Sequence, residues 1–217
     1  LWNITAGVHY RLEGDTSSKR RVLEATNLLA ARFNIKWQFI RAWGGAKRSG
    51  WMIIDAMMNL PLLYCASQIT SDMRYSYVAQ AYADMTMRDH VRSDGSVFHI
   101  TQHDEFTGEC IGYPKGQGFA SESSWARGQA WALYEFTLSC IFTGKQEYLD
   151  IAKRVAHYFI AAVCEDFLPL AVISGSRRNL YYMTVRQVCV RHAVYWNWQI
   201  KWENMKKRCI VWLPFVC

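Results

Sequence analysis

Apolar residues recur with the 3.6-residue period of an amphipathic helix in three long stretches of the chain. These stretches are residues 17–33, 73–91 and 145–163. In the third stretch Tyr148, Ala152, Val155 and Phe159 fall on one face. The first stretch is given the same interpretation, with Leu28 among the positions of its apolar face. The pattern therefore predicts three amphipathic helices.

Each of these helices follows another apolar segment of helical character. The preceding segments are residues 2–12, 53–67 and 124–142. The stretches that begin at Thr70 and Thr143 align without gaps, and Tyr75 then matches Tyr148. Asp72 is a natural N-cap for the helix that follows Thr70, with Ser71 as the alternative. A helical hairpin used three times predicts an all-α toroid or solenoid of hairpins.

Two segments between the predicted hairpins have strand or loop character. They are residues 34–50 and 92–118, and both are rich in glycine, aromatic and polar residues. Long ordered loops on a helical scaffold are where binding sites usually lie. Functional residues are therefore expected in and beside these two segments.

Composition supports one globular domain followed by a different tail. The chain has 217 residues and is 51% hydrophobic, and no apolar run is long enough to span a membrane. Acidic and basic residues balance over 1–170, so the net charge of +7 comes from the acid-poor residues 171–217. We expect a folded domain over 1–170 and a divergent basic tail that is not native to that fold. A membrane or nucleic-acid arm is the alternative for the tail, but neither partner is predicted.

The cysteines argue against a metal or disulfide framework. Their number, seven, is odd, and no C-x-x-C pair occurs. Buried free thiols in a reducing compartment are expected, which favours a cytoplasmic location. No metal and no cofactor is predicted.

Asp55 is the most conspicuous ionisable residue of the predicted helices. It is flanked by Ile53, Ile54, Met57 and Met58 at the start of an apolar segment. One interpretation is an N-terminal capping residue. The other is a general acid/base whose proton affinity is set by its surroundings.

The stretch "GQGFASESSWARGQAW" combines aromatic and polar side chains at residues 116–131. Arg127 has the two-pronged donor geometry that suits a carboxylate. Trp125 and Trp131 could stack on a sugar ring, or they could belong to a helix core. Gln117 and, on the earlier segment, His99 could donate to sugar hydroxyls; a structural role is the alternative for His99.

Taken in order, several motifs resemble glycoside hydrolase family 88, the unsaturated glucuronyl hydrolases. The motifs are "IIDAMMNLPLLYCAS", "DGSVFHI", "TGE", "GQGFASESSWARGQAWALYEF" and "YLDIAKRVAHYF". The resemblance covers about residues 6–170. It implies an (α/α)6 barrel of six helical hairpins, of which this chain would form an incomplete part.

The resemblance also implies an activity and roles for particular residues. Family members remove a 4,5-unsaturated uronic acid from the non-reducing end of oligosaccharides that lyases release from glycosaminoglycans, gellan or xanthan. An aspartate protonates C4 and activates the water that adds at C5, with no metal or cofactor. By motif match Asp55 is this acid/base, and the residues expected to hold the unsaturated sugar are His99, Gln117, Trp125, Arg127 and Trp131.

Two departures from the family pattern qualify this expectation. The chain begins after the position of an "HD-x-GF"-like motif, so the second substrate-facing aspartate is expected to be absent. The family pattern stops near residue 170, so the closing hairpins are expected to be absent as well, which makes the chain a truncated member. An inactive carbohydrate-binding remnant or partial gene product is therefore one alternative. An unsaturated rhamnogalacturonyl hydrolase, a related family that shares fold and chemistry, is the other.

Overall fold

The computed structural model describes residues 3–162, which form helices linked by short strands and loops. The α-helices of these residues are α1 (Val8–Glu13), α2 (Thr16–Ala30), α3 (Leu60–Thr70), α4 (Met73–Asp89), α5 (Ala126–Thr143) and α6 (Gln146–Ala161). A π-helical turn at Asn3–Gly7 precedes α1, and a 3-10 helix at Ile54–Asn59 precedes α3. The interpretation of residues 171–217 as a divergent tail lies outside the described residues.

Each helical hairpin turns at a residue in the left-handed conformation. Gly14 joins α1 to α2 with φ +67°, Ser71 joins α3 to α4 with φ +58°, and Gly144 joins α5 to α6 with φ +74°. A left-handed residue just after a helix is a common way to end it, because it lets the last carbonyls find partners. The three predicted hairpins are therefore confirmed.

The aligned repeat of the second and third hairpins extends to their hydrogen bonds. The Thr70 hydroxyl accepts from the Asp72 backbone N–H at 3.2 Å, and the Thr143 hydroxyl accepts from the Lys145 N–H at 3.2 Å. Asp72 is the N-cap of α4, as predicted, and accepts from the Arg74 N–H at 3.0 Å. The repeated sequence therefore forms the same hydrogen-bonded turn in both hairpins.

The core lies between the helices, with α3 and α5 buried on most of their surface. All of residues 60–67 of α3 are buried. Helix α6 is amphipathic and buries the face that the sequence predicts, including Tyr148, Ala152, Val155 and Phe159. None of the helices in residues 3–162 is long and apolar enough to cross a membrane.

The predicted apolar face of α2 is wrong at Leu28. This side chain is 73% exposed, whereas the buried positions of α2 are Ser18, Val22 and Thr26. At about 100° per residue, steps of four keep these three positions on one face, and Leu28 points well away from Val22. Small polar residues form most of this buried ridge, so hydrophobicity alone misassigned the face.

The predicted helix over 53–67 is corrected at its beginning. The α-helix starts only at Leu60, and Asp55 lies on the preceding 3-10 turn. Pro61 stands in the first turn of α3, where its fixed φ and missing N–H cost nothing. The apolar residues before Pro61 form the end of a strand and a 3-10 turn, and not an α-helix.

Short antiparallel strands fill the segments between the hairpins. They are β1 (Phe33–Asn34), β2 (Phe39–Ile40), β3 (Trp51–Ile53), β4 (Ile100–His103) and β5 (Cys110–Gly112). Strand β1 pairs with β2, and the other three form a sheet in the order β3-β4-β5. The pairing of β3 with β4 brings the end of one loop segment beside the start of the next. Within residues 3–162, Cys65, Cys110 and Cys140 form no disulfide; Cys65 is buried and the other two are partly buried.

Candidate active site

The β3–β4 pairing positions Asp55 beside His99. Ile53 is in register with Ile100, and the Ile54 N–H donates to the His99 carbonyl at 3.1 Å. Asp55 follows immediately on the 3-10 turn, which has Ile53 as its N-cap and no capping bond from a side chain. The capping interpretation of Asp55 is therefore wrong.

The Asp55 carboxylate lies between two nitrogen donors without forming a hydrogen bond to either. His99 Nε2 is 3.4 Å from Asp55 Oδ2, and Arg127 Nε is 3.3 Å from Asp55 Oδ1. Among residues 3–162 the buried atoms Asp55 Oδ2, His99 Nε2 and Arg127 Nε have no hydrogen-bond partner. Buried polar atoms are normally paired, so this cluster requires an explanation. Catalytic hydrogen bonds that tighten only when substrate binds have this appearance.

The ring of His99 is fixed by the backbone of the loop that follows β5. The Gln117 N–H donates to His99 Nδ1 at 2.8 Å. Because Nδ1 is the acceptor, the neutral ring carries its proton on Nε2, the nitrogen that faces Asp55. Gly116 is required for this approach, since a Cβ there would lie 1.8 Å from His99 Nδ1.

Arg127 joins the histidine side of the cluster to the first turn of α5. Its guanidinium lies over the Trp125 ring, 4.0 Å from the ring centroid. Its Nη2 donates to Gln117 Oε1 at 2.9 Å. Gln117 thus contacts His99 through its backbone and Arg127 through its side chain.

The two tryptophans predicted to stack on sugar have different environments. Trp125 is 6% exposed, and its ring contacts both Arg127 and His99, whose ring centroid is 4.4 Å away. Trp131 is partly exposed and packs edge to face on Tyr134 at 6.1 Å. It lies one turn beyond Arg127 on α5, so it shares a face with that side chain.

The structure thus gathers most of the predicted residues around one carboxylate. Asp55, His99, Gln117, Trp125 and Arg127 are linked by the contacts described above, while Trp131 lies farther along α5. Sequence reasoning did not single out Gly116 or Gln129. The two glycines of "GQG" are a signal that the backbone approaches another group closely at that point. Nothing in the sequence distinguishes Gln129 from the other glutamines.

A second carboxylate–histidine pair lies at the other end of β4. His103 Nε2 is 3.0 Å from Asp89 Oδ2, and Arg88 Nη2 is 2.7 Å from the same oxygen. Burial raises the pKa of Asp89, but hydrogen bonds from His103 and Arg88 outweigh it and hold that pKa at about 2. The exposed fractions of these side chains are 9% for Asp89 and 0% for His103. This pair is closed and fully partnered.

The residues around Asp55 combine a group suited to proton transfer with a group suited to binding an anion. A carboxylate with one partly open side can donate and accept a proton, and a neighbouring guanidinium can bind a carboxylate of the ligand. Within residues 3–162, no group of three or more histidine, cysteine and carboxylate side chains is arranged to hold a metal ion. A partly open carboxylate beside a guanidinium fits acid/base chemistry on a ligand that carries an acidic group.

Known proteins with related sequences are sugar hydrolases. The chain is 37% identical over 169 residues to the unsaturated glucuronyl hydrolase of Bacillus sp. (strain GL1), covering 76% of this chain and 45% of that protein. It is 34% identical over 168 residues to the unsaturated chondroitin disaccharide hydrolase of Streptococcus agalactiae, covering 76% of this chain and 42% of that protein. The chain therefore spans about half the length of the curated relatives it matches. No protein-family model matches the sequence.

Solved structures agree with these sequence matches. The unsaturated glucuronyl hydrolase of Bacillus sp. GL1 superimposes with a TM-score of 0.88 at 28% identity, covering 100% of this chain and 59% of that one. The Streptococcus agalactiae unsaturated glucuronyl hydrolase superimposes with a TM-score of 0.81 at 30% identity, covering 88% and 48%.

These structures define the class of protein: the helical hairpins form part of an (α/α)6 barrel of the kind found in glycoside hydrolases. Within that class, the chain belongs to the unsaturated glucuronyl hydrolase family, as its ordered motifs predicted.

Proposed function

We propose that this protein releases a 4,5-unsaturated uronic acid from the non-reducing end of an oligosaccharide by hydrating the C4=C5 double bond. Asp55 is assigned the acid/base role. His99, Gln117, Trp125, Arg127 and Trp131 are assigned to holding the unsaturated sugar or to supporting the residues that hold it. The glycosaminoglycan, gellan and xanthan fragments produced by polysaccharide lyases are the proposed sources of substrate.

One observation carries this proposal. His99 and Arg127 each lie within 3.4 Å of Asp55, yet the buried atoms Asp55 Oδ2, His99 Nε2 and Arg127 Nε form no hydrogen bonds among the described residues. Leaving buried polar groups unpaired costs about 1–3 kcal/mol each, so such a cluster persists where function requires it. A ligand that brings a carboxylate and hydroxyl groups supplies the missing partners.

The ligands of related proteins support an assignment of this site to one part of the proposed substrate. One similar solved structure contains dGlcA-Glc-Rha-Glc, and a structure of the Streptococcus agalactiae unsaturated glucuronyl hydrolase contains dGlcA-GalNAc6S. The two ligands share the first sugar and differ in the next one. We therefore assign the cluster around Asp55 to the shared unsaturated sugar, whose carboxylate suits Arg127.

The proposed reaction is a net addition of water. Asp55 gives a proton to C4 of the vinyl ether, and the resulting carboxylate takes a proton from a water molecule whose oxygen bonds to C5. The hemiketal formed at C5 opens and the glycosidic bond is lost. A pair of carboxylates at a fixed separation, which most glycosidases use, is not required by this chemistry.

The test measures turnover and binding separately in the 217-residue protein. Unsaturated chondroitin disaccharide is supplied, loss of C4=C5 ultraviolet absorbance reports turnover, and calorimetry reports binding. Asp55→Asn is expected to lower turnover by about a thousandfold or more, within the range for general acid/base groups. Asp89→Asn is the matched control, because it changes the carboxylate of the closed pair.

Retained turnover in Asp55→Asn would show that the acid/base assignment is wrong. Binding of the disaccharide without any turnover by the unaltered protein would contradict the proposed hydrolysis and leave a carbohydrate-binding function.

A further inference from the structure

The Gln129 side chain is buried and forms no hydrogen bond to the side chains of the site residues assigned above. Its hydrogen bonds reach the segment that leads into His99 and the segment that leads into Trp125. It lies on α5 two residues beyond Arg127, and it is 0% exposed. Two residues correspond to about 200° around a helix, so Arg127 and Gln129 point in opposite directions. Arg127 points to Asp55, and Gln129 points to the turn before His99.

All the hydrogen-bonding capacity of the Gln129 amide is used. Its Oε1 accepts from the Val97 N–H at 3.1 Å and from the Ser124 hydroxyl at 2.8 Å. Its Nε2 donates to the carbonyls of Gly95 at 2.7 Å and Val155 at 3.3 Å. Exchanging the oxygen and nitrogen would set the amide nitrogen against the Val97 N–H, so the orientation is unique.

These bonds tie three segments to one side chain. Gly95 and Val97 belong to the turn that leads into His99, Ser124 immediately precedes Trp125, and Val155 belongs to α6. A side-chain amide that forms hydrogen bonds to three segments at once fixes their relative positions. A shift of any one segment would break its bond and leave buried polar groups unpaired.

The turn that Gln129 holds is also pressed against α6. Gly95 has φ +88°, and a Cβ on it would lie 2.3 Å from the Arg154 carbonyl oxygen. Arg154 in turn donates from Nη2 to the Arg92 carbonyl at 3.2 Å. The position of the turn is therefore set from two sides, by α6 and by the Gln129 amide.

We propose that Gln129 is a positioning residue that acts through His99. By holding the turn two residues before His99 and the residue before Trp125, it sets the His99 ring against Trp125 and aims Nε2 at Asp55. The expected effect of Gln129 on kcat rests on the proposed function. Its effect on the His99 ring can be measured without turnover.

The test uses histidine labelled with ¹⁵N in the full 217-residue chain. A long-range ¹H–¹⁵N spectrum reports which ring nitrogen of each histidine carries the proton, and His99→Gln identifies the His99 signals. In Gln129→Leu, which keeps the size but removes all the bonds, the His99 pattern is expected to lose its Nε2–H form. The signals of His103, which is bonded to Asp89, serve as the internal control and should stay in place.

A matched variant separates positioning from general loss of stability. Thr137→Val removes another buried hydrogen bond on α5, from the Thr137 hydroxyl to the Leu133 carbonyl at 2.7 Å. It should lower the melting temperature while leaving the His99 pattern unchanged. On unsaturated disaccharide, Gln129→Leu should lower kcat by about a hundredfold, as small misplacements of catalytic groups do, with a much smaller change in KM.

An unchanged His99 pattern in Gln129→Leu, or the same change in Thr137→Val, overturns the positioning role. A changed His99 pattern in a protein whose unaltered form has no turnover upholds the positioning role and overturns only the proposed hydrolysis.

Discussion

Strand β4 has a carboxylate–histidine pair at each end, and the two pairs differ in how completely their atoms are partnered. At the far end, His103 and Arg88 contact one Asp89 oxygen within 3.0 Å. At the near end, His99 and Arg127 lie 3.3–3.4 Å from Asp55, and within residues 3–162 the buried atoms Asp55 Oδ2, His99 Nε2 and Arg127 Nε have no hydrogen-bond partner. The same residue types therefore form closed contacts at one end of β4 and open contacts at the end to which we assign the unsaturated sugar.

Among substitutions that leave Asp55 itself in place, the largest effect on the open pair is expected from Gly116→Ala. The added Cβ would lie 1.8 Å from His99 Nδ1, so the ring must leave the Gln117 N–H and turn away from Asp55. Turnover of unsaturated disaccharide should fall by about a hundredfold, the cost of displacing a catalytic group by about 1 Å. The measurement is kcat/KM together with the melting temperature.

Gly112→Ala is the control for this substitution, because no atom lies within 4 Å of the position its Cβ would take. If both alanine variants lose activity equally, the close approach of Gly116 is not what places His99.

The closed pair is expected to matter for stability. Asp89→Asn should lower the free energy of unfolding by about 2 kcal/mol at pH 7, the value that corresponds to a native pKa of about 2 for an aspartate whose usual value is 3.8. Turnover should remain within about twofold of the unaltered protein. Chemical denaturation and the absorbance assay measure the two quantities.

The same variant has a defined pH dependence. A carboxyl group whose pKa is lowered by folding stabilises the native state above its unfolded pKa, and that stability is lost as the pH falls towards the native pKa. The unaltered protein should therefore lose stability between about pH 4 and pH 2 more steeply than Asp89→Asn. Parallel acid denaturation curves for the two proteins would contradict the proposed role of the closed pair.

The smallest effect concerns a third carboxyl group, Glu135, which neither pair includes. Within residues 3–162 neither of its oxygens has a hydrogen-bond partner, and burial raises its pKa well above the usual 4.5. Its contribution to stability is present below its unfolded pKa and is lost as the pH rises towards the native value. Glu135→Gln should therefore melt about 2–4 °C higher than the unaltered protein at pH 8, which corresponds to about 1 kcal/mol for this chain length.

The difference between these two proteins should shrink as the pH is lowered, because burial raises the pKa of Glu135 and makes its protonated form easier to reach in the native state. A gain of the same size at pH 8 and at lower pH would indicate that packing, and not ionisation, separates the two side chains.

Much of the helical scaffold could be predicted because its signals are local. Apolar spacing, left-handed turn residues and the aligned threonines each act within a few positions of the chain. The face of α2 could not be predicted, since its buried ridge contains Ser18 and Thr26, and only tertiary packing reveals that Leu28 is outside. The start of α3 was misplaced because the apolar letters before Pro61 fit a helix as well as a 3-10 turn.

The sequence could predict which residues gather at the candidate site, but it could not predict how they are arranged. Asp55 and Arg127 stood out by type and by their place in ordered motifs. The contact of the Gln117 N–H with His99 depends on the conformation of a long loop. Every residue except proline has a backbone N–H, so the sequence does not indicate which one is used. Gln129 was missed for the same reason, since three of its partners are backbone groups.

The hydrogen bonds of Gln129 also bear on the order in which the chain folds during synthesis. They connect residues 34, 32 and 26 positions apart, and the last of these partners, Val155, lies on α6. Domains form as units once their long-range contacts become available at the ribosome. The β3–β4 strands can pair early, but the turn before His99 is fully held only after α6 has emerged.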